Sequence, residues 1–319
     1  MRILVIGLSN VGDGVLMSPV IHALSERYPD AMLTLLVGER ARAVFEGDRR
    51  VHRLVTAEQF EGTMGRLQQA AWLWRERPDV FIDLRQTALP LIWKPWRAWR
   101  YLRPVPASIV HMRDRHLWRL RAQDPKTVDS DEKASLWIAP EDRTMVERLL
   151  ARWSVDAKKP LVVICAGARS HTKRWYADRF AQAADRLIAT QGVEVVLTGE
   201  PEEAPIVHEV LGAMQRRAYS AVSLTTLRQL AALMERAALV ITNDSASLHV
   251  AGTVGAPILA LFGPTDARKY GPTGARSRVL RRRLFCAPCE QAQCRFSHEC
   301  MRFISVDEVV AAATELLHA

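Results

Sequence analysis

Short apolar runs alternate with helical stretches along this chain, and the alternation begins again near its middle. Strands that alternate with helices form parallel sheets covered on both faces, so the pattern predicts an α/β fold. Val15 to Tyr28 is predicted as the first helix, because its apolar residues recur with helical spacing and Pro29 follows it. Residues 141–153 are predicted as an amphipathic helix. The strand candidates of the first half are RILVIGL, AMLTLLVG, HRLVT, DVFIDLR and SLWIAP.

The second half repeats this organisation and ends in a predicted helix, with Ser305 as its N-cap and Glu308 completing a capping box. We therefore predict two Rossmann-like domains, residues 1–154 and 155–319, that face each other across a cleft. Ligands of open α/β sheets bind beyond the carboxyl ends of the strands, so the residues after each strand are the candidates for a site. The strand candidates here are PLVVICAG, VEVVLTG, ALVIT and APILALFG.

The chain carries a formal charge of +9 and an isoelectric point of about 9.7. Such a balance predicts an acidic partner, which is a nucleic acid, an anionic membrane or a phosphorylated substrate. No nucleic-acid recognition motif accompanies it, so we expect no nucleic-acid partner. The N-terminal apolar run lacks a signal-peptide cleavage site, and no run approaches the ~18 residues of a membrane span. We expect a cytoplasmic protein that contacts a membrane peripherally.

The first strand is followed by GLSNVGDG, which contains Asp13 at the opening of a helix. This stretch is neither a Walker A loop nor a GxGxxG fingerprint. Asp13 is predicted either as a general base facing the cleft or as a cap of the helix.

Two further strand ends carry polar side chains. The loop ARSHTKRW supplies Arg169 and Lys173 as cations and Ser170 and Thr172 as hydroxyls, a set that suits a diphosphate. The alternative is a solvated basic loop. Glu200, after VEVVLTG, is either an acceptor for a ribose or sugar hydroxyl or a surface acid.

The stretch TNDSASLH lies between two apolar runs and concentrates polar chemistry at one strand end. Asp244 or Ser245 is predicted as the N-cap of a short helix, whose first amides, from Ala246 to Leu248, would bind an anion. His249 follows on the first turn. The alternatives are an Asp244 that only caps the helix and a His249 that packs in the core.

Four features, in order along nearly the whole chain, resemble the glycosyltransferases of family 9, the ADP-heptose:lipopolysaccharide heptosyltransferases and their relatives. The resemblance implies a two-domain GT-B fold, with the acceptor on the N-terminal domain and the nucleotide-sugar donor on the C-terminal domain. It also implies inversion at the sugar carbon with no cofactor required for catalysis. The features are GDGVLMSPVIHAL, KRW, NDSASLH followed by GAPILALFGPTD, and the spaced cysteines before the last helix.

The resemblance also implies roles for single residues. Asp13 matches the general base, Lys173 the lysine near the donor phosphates, and Glu200 an acid near the ribose or base of the donor. Ala246 stands where the family usually has glycine. The donor-binding D-[ST]-G-x-x-H loop is matched by Asp244, Ser245, Ala246 and His249.

The implied activity is transfer of a heptose-like sugar from ADP-heptose to a lipopolysaccharide-core acceptor, an anionic glycolipid at the inner face of the cytoplasmic membrane. One alternative is a family member with another donor or acceptor, such as a protein or a different surface glycan. The other alternative is a protein that binds nucleotide sugars, or acts as a scaffold, without turnover.

Aromatic and basic residues alternate between Trp93 and Arg103 at a spacing of three, which would place the tryptophans on one helical face. Tryptophan with arginine is typical of an interface with anionic lipid headgroups. Trp96, Arg97 and Arg100 are therefore predicted to face the membrane or the acceptor. The alternative is that the tryptophans pack into the core while the arginines are solvated.

Four cysteines cluster near the C-terminus with the spacing C-x2-C-x4-C-x5-C. In a cytosolic chain such a cluster indicates a metal site or reduced thiols more than disulfides. Cys286, Cys289, Cys294 and Cys300 are predicted to hold a structural zinc or iron ion, with a reduced, packed cluster as the alternative. Cys165, alone in an apolar run, is predicted to lie in the core.

Overall fold

The computed structural model describes residues 1–127 and 136–319. The chain forms two compact units, Met1–Trp137 and Ile138–Ala319. Each unit contains one all-parallel sheet with helices packed around it, so the predicted α/β organisation is confirmed. No helix among the described residues is both long and apolar enough to cross a membrane.

The sheet of the first unit has the order β3-β2-β1-β4. Strand β1 pairs in parallel with β2 and β4, so that Leu4 lies opposite Thr34 on one side and Phe81 on the other. Ile3 and the three residues after it are at most 2% exposed, as expected for an apolar run that is buried on both faces of a parallel sheet. The strands are β1 (Arg2–Ile6), β2 (Met32–Val37), β3 (Arg53–Thr56) and β4 (Val80–Asp83).

The first helix begins at Val11, four residues before its predicted start, and ends at Arg27, before Pro29 as expected. The segment after β4 departs from the prediction, because Trp93 to Arg103 is not one helix. Pro95 opens a separate 3-10 turn, since proline lacks the amide that would continue the preceding helix. The helices are α1 (Val11–Arg27), α2 (Glu39–Phe45), α3 (Gly62–Glu76), α4 (Leu89–Trp93), α5 (Trp99–Leu102) and α6 (Met112–Gln123).

The sheet of the second unit has the order β10-β9-β8-β5-β6-β7. The chain runs outward from β5 in one direction and then returns to β8 and runs in the other. The order therefore reverses between β5 and β8, which is the position where open α/β sheets bind ligands. The strands are β5 (Leu161–Cys165), β6 (Glu194–Leu197), β7 (Tyr219–Ser220), β8 (Leu239–Asn243), β9 (Ile258–Phe262) and β10 (Ser277–Arg281).

The closing helix has the predicted capping box, in which the Glu308 amide donates to Ser305 Oγ (3.3 Å) and the Ser305 amide donates to Glu308 Oε2 (3.0 Å). The strand predicted at SLWIAP is wrong for its described part, because residues 136–139 belong to no strand and Pro140 already opens a helix. The helices are α7 (Pro140–Arg152), α8 (Ala177–Gln191), α9 (Ala204–Ala213), α10 (Leu227–Glu235), α11 (Ala246–Thr253), α12 (Ala267–Tyr270), α13 (Glu299–Arg302) and α14 (Val306–Leu317).

Helix α7 packs against α10 and lies in the second unit, whereas the predicted division after residue 154 places it in the first. Arg143 Nε lies 2.7 Å from Glu235 Oε2, and Arg228 Nε lies 3.2 Å from Asp142 Oδ2. These ion pairs join the two helices at their polar rims.

The core of the second unit packs α8 and α14 against the sheet. Trp175 and Phe180 are fully buried, with their rings edge to face and 5.0 Å apart. Aromatic pairs of this geometry contribute about 1 kcal/mol beyond the area they bury. Cys165 lies in this unit at the end of β5, buried as predicted, and burial raises the pKa of its thiol to about 12.

Candidate functional site

A lysine and two polar side chains meet at the carboxyl edge of the second sheet. Lys173 Nζ lies 2.7 Å from Asp244 Oδ2, and Thr265 Oγ1 donates to the same carboxylate oxygen at 2.6 Å. Asp244 is 5% exposed, whereas Lys173 keeps 30% of its side-chain surface open. The loops after β5, β8 and β9 each supply one of these residues. The structure thus holds the Lys173 ammonium group, partly open to solvent, beside the point where the strand order reverses.

The loop that carries Lys173 is fixed from below by a buried asparagine. The Trp175 amide donates to Asn243 Oδ1 (3.0 Å), and Asn243 Nδ2 donates to the Ala166 carbonyl (2.7 Å). Asn243 is fully buried, so both contacts are formed away from water. The indole nitrogen of Trp175 donates to the Ile304 carbonyl (3.1 Å). The KRW motif therefore has a structural half, Trp175, and a half that faces outward, Lys173.

The other predicted residues of this loop differ in their exposure. Ser170 and Thr172 lie with their hydroxyl oxygens 2.8 Å apart, and Thr172 is buried while Ser170 is half-buried. Arg169 is exposed. The neighbouring Arg174 donates from Nε to the Ala168 carbonyl (2.7 Å), which closes the loop on itself.

Helix α11 begins beside the Lys173–Asp244 pair. Its N-cap is Ser245, one of the two predicted caps, although the Ser245 side chain forms no capping bond. Ala246 is the first residue of the helix. Its amide and that of the next residue lie in the first turn, where backbone N–H groups have no acceptor within the helix. The Leu248 amide, expected to face an anion, instead donates to the Ser245 carbonyl at 3.2 Å. His249 lies half-buried on the first turn.

The strand end after β6 carries two acids. Glu200 is exposed, and its amide donates to Glu203 Oε2 at 3.0 Å. The Glu203 carboxylate lies so close to Gly167 that a Cβ at position 167 would collide with it. Burial raises the pKa of Glu203. Sequence reasoning singled out Glu200 and missed Glu203, although both stand in the same short acidic loop.

Asp13 lies in the first unit, in the first turn of α1, and is half-exposed. Its Oδ2 accepts a hydrogen bond from Asn10 Nδ2 at 3.1 Å. The N-cap of α1 is Asn10, so the expectation that Asp13 itself caps the helix is wrong. A carboxylate in the first turn is nevertheless stabilised by the helix dipole.

The end of β4, the strand next to β1, carries a buried acid that sequence reasoning missed. Asp83 is 1% exposed and accepts hydrogen bonds from the amides of Arg85 (3.0 Å) and Thr87 (2.7 Å). Burial raises the pKa of its carboxyl group. Arg119 holds the same loop, with donors to the Leu84 carbonyl and to a side-chain amide oxygen, both at 2.8 Å. The sequence offered one signal for Asp83, because this acid ends an otherwise apolar strand.

The aromatic and basic segment of the first unit is largely open to solvent. Trp96 is 71% exposed, and Arg97 is exposed as well. Arg100 is half-buried, with its guanidinium carbon 5.4 Å from the ring centroid of Trp99. That these residues face a membrane or acceptor stays a prediction.

The four C-terminal cysteines line one cavity of about 340 Å³. All are free thiols, and Cys300 is the buried one, which raises the pKa of its thiol. The cavity also touches Thr172, from the loop that carries Lys173. Within residues 1–127 and 136–319, no three His, Cys, Asp or Glu side chains are gathered closely enough to hold a metal ion. Metal binding would need the thiols to draw together, and it stays a prediction for Cys286, Cys289, Cys294 and Cys300.

Two all-parallel α/β units, with polar loops gathered at the switch point of the second, define a protein of the GT-B fold class. The sequence profile of glycosyltransferase family 9 (heptosyltransferase) matches residues 98–299, and the chain belongs to this family. The fold class and the family inferred from the sequence motifs are both confirmed.

Relatives agree over most of the chain. The chain is 25% identical to lipopolysaccharide heptosyltransferase 2 of Salmonella typhimurium over 313 residues, which cover 88% of each protein. A family 9 glycosyltransferase from Veillonella parvula superposes with a TM-score of 0.85 at 25% identity, over 99% of this chain and 97% of that one. The E. coli ADP-heptose lipopolysaccharide heptosyltransferase II superposes with a TM-score of 0.77 at 22% identity, over 100% and 99% of the two chains.

Proposed function

We propose that this protein is an inverting glycosyltransferase that moves a heptose from a nucleotide-diphosphate donor, ADP-heptose, to a lipopolysaccharide-core acceptor. The observation that carries the proposal is the Lys173–Asp244 pair at the switch point of the second sheet. Membership of family 9 supports sugar transfer, and the names of the relatives support heptose as the sugar and ADP as the nucleotide.

The reaction assigned to the site is a single displacement. Asp13 accepts the proton of an acceptor hydroxyl, and the hydroxyl oxygen attacks the anomeric carbon of the donor sugar. The bond between that carbon and the β-phosphate oxygen breaks, and its electron pair leaves with the diphosphate. The products are the new glycoside, inverted at the anomeric carbon, and the nucleoside diphosphate. Asp13 suits this role because it is half-exposed and accepts a hydrogen bond from a neutral donor, Asn10.

The departing diphosphate gains negative charge, which the second unit is equipped to stabilise. Lys173 presents an ammonium group held in place by the buried Asp244, and the first amides of α11 add donors from a helix N-terminus. One oriented donor of this kind lowers the barrier by about 3 kcal/mol. The proposal assigns the charge stabilisation to these groups and assigns no metal to the step. Ser170 and Arg169 lie in the same loop and are proposed to contact the phosphates.

The nucleoside is assigned to the acidic loop after β6. Glu200 is exposed and is assigned to a ribose hydroxyl, while the half-buried Glu203 holds the Glu200 amide in place. His249 and Ala246, on the first turn of α11, are proposed to line the sugar-phosphate side.

We further propose that the protein works peripherally at the inner face of the cytoplasmic membrane, because the proposed acceptor is an anionic glycolipid. The formal charge of +9 supports attraction to such a surface.

A thermal-shift panel with ADP, UDP, GDP and CMP tests the donor first. A ligand at a hundred times its dissociation constant adds about 2.7 kcal/mol of stability, so we expect a clear rise in Tm with ADP alone. A rise with UDP or GDP instead would discard ADP-heptose but keep sugar transfer. No rise with any nucleotide would contradict the donor site and favour a scaffold protein.

Turnover is tested by ADP release from ADP-heptose in the presence of heptose-deficient lipopolysaccharide. We expect release only when both substrates are present, with one new heptose on the acceptor by mass spectrometry. Donor binding without transfer to any core acceptor would move the assignment to another acceptor, such as a protein or a different surface glycan.

A further inference from the structure

Helix α3 turns an apolar stripe toward solvent. Met64, Leu67, Ala71 and Trp74 recur at helical spacing and fall within one face of the helix. Met64 is 67% exposed, Leu67 66% and Trp74 54%. The opposite face supplies Leu73, which is fully buried. Helix α3 therefore has an exposed apolar face in addition to the face that packs on the core. An ordinary surface helix turns polar residues toward solvent instead.

The short helix α4 contacts α3, and α5 follows α4 along the chain. The rings of Trp74 and Trp93 are 5.4 Å apart in an edge contact, which joins α3 to α4. We call the outward apolar residues of α3, α4, α5 and the 3-10 turn between α4 and α5 the α3–α5 surface. Its members are Met64, Leu67, Ala71, Trp74, Leu91, Ile92, Trp96, Trp99 and Leu102.

This surface is anchored to the core of the unit. Leu89 and Ala98 are buried beneath it, and the Tyr101 hydroxyl donates to the Phe81 carbonyl at 2.9 Å. The Phe81 and Tyr101 rings also pack 5.7 Å apart. The outward tryptophans and leucines are thus presented by an ordered support. Soluble proteins seldom expose large apolar patches unless the patch binds something.

Cations surround the α3–α5 surface. Residues 62–103 contain eight arginines and lysines and three acids, and none of the acids lies after residue 83. Each acid is engaged within the unit: Glu76 with Arg53, Asp79 with the Arg2 amide, and Asp83 with its own loop. The cations are Arg66, Arg75, Arg77, Arg85, Lys94, Arg97, Arg100 and Arg103.

The exposed tryptophans, aliphatic side chains and cations together favour one of three binding partners for the α3–α5 surface. In a symmetric dimer formed through this surface, the cations of one copy would face the same cations of the other, and the like charges would repel each other. A nucleic acid would stack on the tryptophans and pair with the arginines but would leave the leucines and isoleucine unfilled. An anionic bilayer satisfies all three groups, because tryptophan favours the interface, aliphatic side chains enter the acyl boundary and cations bind the headgroups.

We propose that the α3–α5 surface binds the anionic face of a phospholipid bilayer. The inference rests on the proposed work at a membrane and assigns it to three helices of the first unit. Lipid binding by this surface needs neither the donor nor the glycolipid acceptor, so it can be tested without either.

Flotation of the full-length protein with vesicles tests the proposal, using phosphatidylcholine alone and phosphatidylcholine with phosphatidylglycerol. We expect binding only to the vesicles that contain phosphatidylglycerol, and weaker binding as salt rises. Arg97→Gln with Arg100→Gln should weaken it roughly 25-fold, since each cation near the surface contributes about fivefold. The matched control is Arg148→Gln with Arg152→Gln, two exposed arginines on α7 of the second unit, which should bind like the wild type.

The apolar half of the surface is tested by Leu67→Ser with Trp74→Ser, which should weaken binding at least about tenfold. Phe285→Ser, which replaces a side chain that is 92% exposed in the second unit, is its control. Equal binding to neutral vesicles, or arginine and α3 variants that bind like the wild type, would overturn the proposal. The proposal would also be overturned if the wild type were a dimer and the α3 variant a monomer. Tighter binding to a single-stranded oligonucleotide than to vesicles would overturn it as well.

The ADP thermal shift, measured on the same samples, separates this inference from the proposed function. Vesicle binding without an ADP shift would leave the α3–α5 assignment standing and contradict the donor. An ADP shift without vesicle binding would do the opposite.

Discussion

Lys173 and Asp244, 71 positions apart in the sequence, form an ion pair in which Nζ lies 2.7 Å from Oδ2. The same oxygen accepts a hydrogen bond from Thr265, so the carboxylate is committed to orienting the lysine. An ammonium group has three donors, and among residues 1–127 and 136–319 Asp244 is the acceptor shown for Nζ, which leaves two protons for a ligand. The pair therefore works as a fixed cation for an anionic ligand.

Lys173→Ala should lower kcat/KM for sugar transfer by about 100- to 1000-fold, because the leaving diphosphate loses an oriented donor. It should also reduce the Tm gain that ADP produces. Thr265 still donates to Asp244 in the variant, so we expect the fold to persist. The matched control is Lys159→Ala, a lysine just before β5 that lies 3.4 Å from Glu194. Wild-type kinetics in the Lys173 variant would remove the lysine from the reaction.

Asp13→Asn should lower kcat by about 100- to 10,000-fold while ADP still raises Tm, since a general base contributes to the chemical step and the donor binds elsewhere. Initial rates with saturating acceptor measure the effect. Asp30→Asn, an exposed acid before β2 in the same unit, is the control. Should Asp13→Asn turn over normally, another group of the first unit must take the proton.

His116 makes the stability of the protein depend on pH. The side chain is fully buried, and neither ring nitrogen has a hydrogen-bond partner among the described residues. Burial, with Arg119 and Arg115 nearby, lowers its pKa from 6.5 to about 3. Between pH 6.5 and about 3, His116 is protonated in the unfolded chain and neutral in the folded chain. The free energy of unfolding therefore falls as the pH falls through this range.

His116→Leu should flatten this dependence, by up to about 1.4 kcal/mol of unfolding free energy per pH unit, while leaving stability near pH 8 equal or higher. Urea titrations at several pH values measure it. His208→Gln, which replaces an exposed histidine on α9, should keep the wild-type slope. Parallel slopes for wild type and His116→Leu would show that the folded chain binds this proton as readily as the unfolded chain does.

The cysteine cavity leads to a prediction about metal content. Protein purified without chelator should contain about one zinc or iron ion per chain, because four thiols around one cavity can close to the tetrahedral set that these ions take. Cys286→Ser with Cys289→Ser should lose the ion and, through the Thr172 loop that borders the cavity, weaken the ADP shift. Cys165→Ala should keep the metal, as that thiol lies in the core. A wild-type protein free of metal, with all five thiols titratable after unfolding, would leave the reduced cluster as the answer.

Most of the strands that the sequence revealed contain a run of three or more apolar residues, because a parallel strand buried on both faces has few polar positions. The edge strand β10, read SRVLR, escaped because half its surface is open and two of its five residues are arginines. The segment around Pro95 was misjudged for a different reason, since the spacing of its tryptophans was helical but the proline divides the helix.

Several polar residues of the candidate site were found in the loops that follow strands, as with Lys173 after β5 and Asp244 after β8. Their pairing was not predictable, because it depends on β5 and β8 being neighbours, and strand order is a property of the whole sheet. Asn243 was overlooked for the same reason. Its side chain acts on the backbone of a loop that precedes it by about 70 residues, through contacts with Ala166 and Trp175.

The bond from the Trp175 indole to the Ile304 carbonyl ties the site to the end of the chain. Ile304 stands immediately before the capping box of α14, so the last helix and the KRW loop share one anchor point. Loss of that helix would release Trp175 and, two residues away, the lysine that faces solvent. A C-terminal tag or truncation that frays the start of α14 would consequently act as a remote inhibitor of nucleotide binding, although it touches none of the residues that meet the ligand.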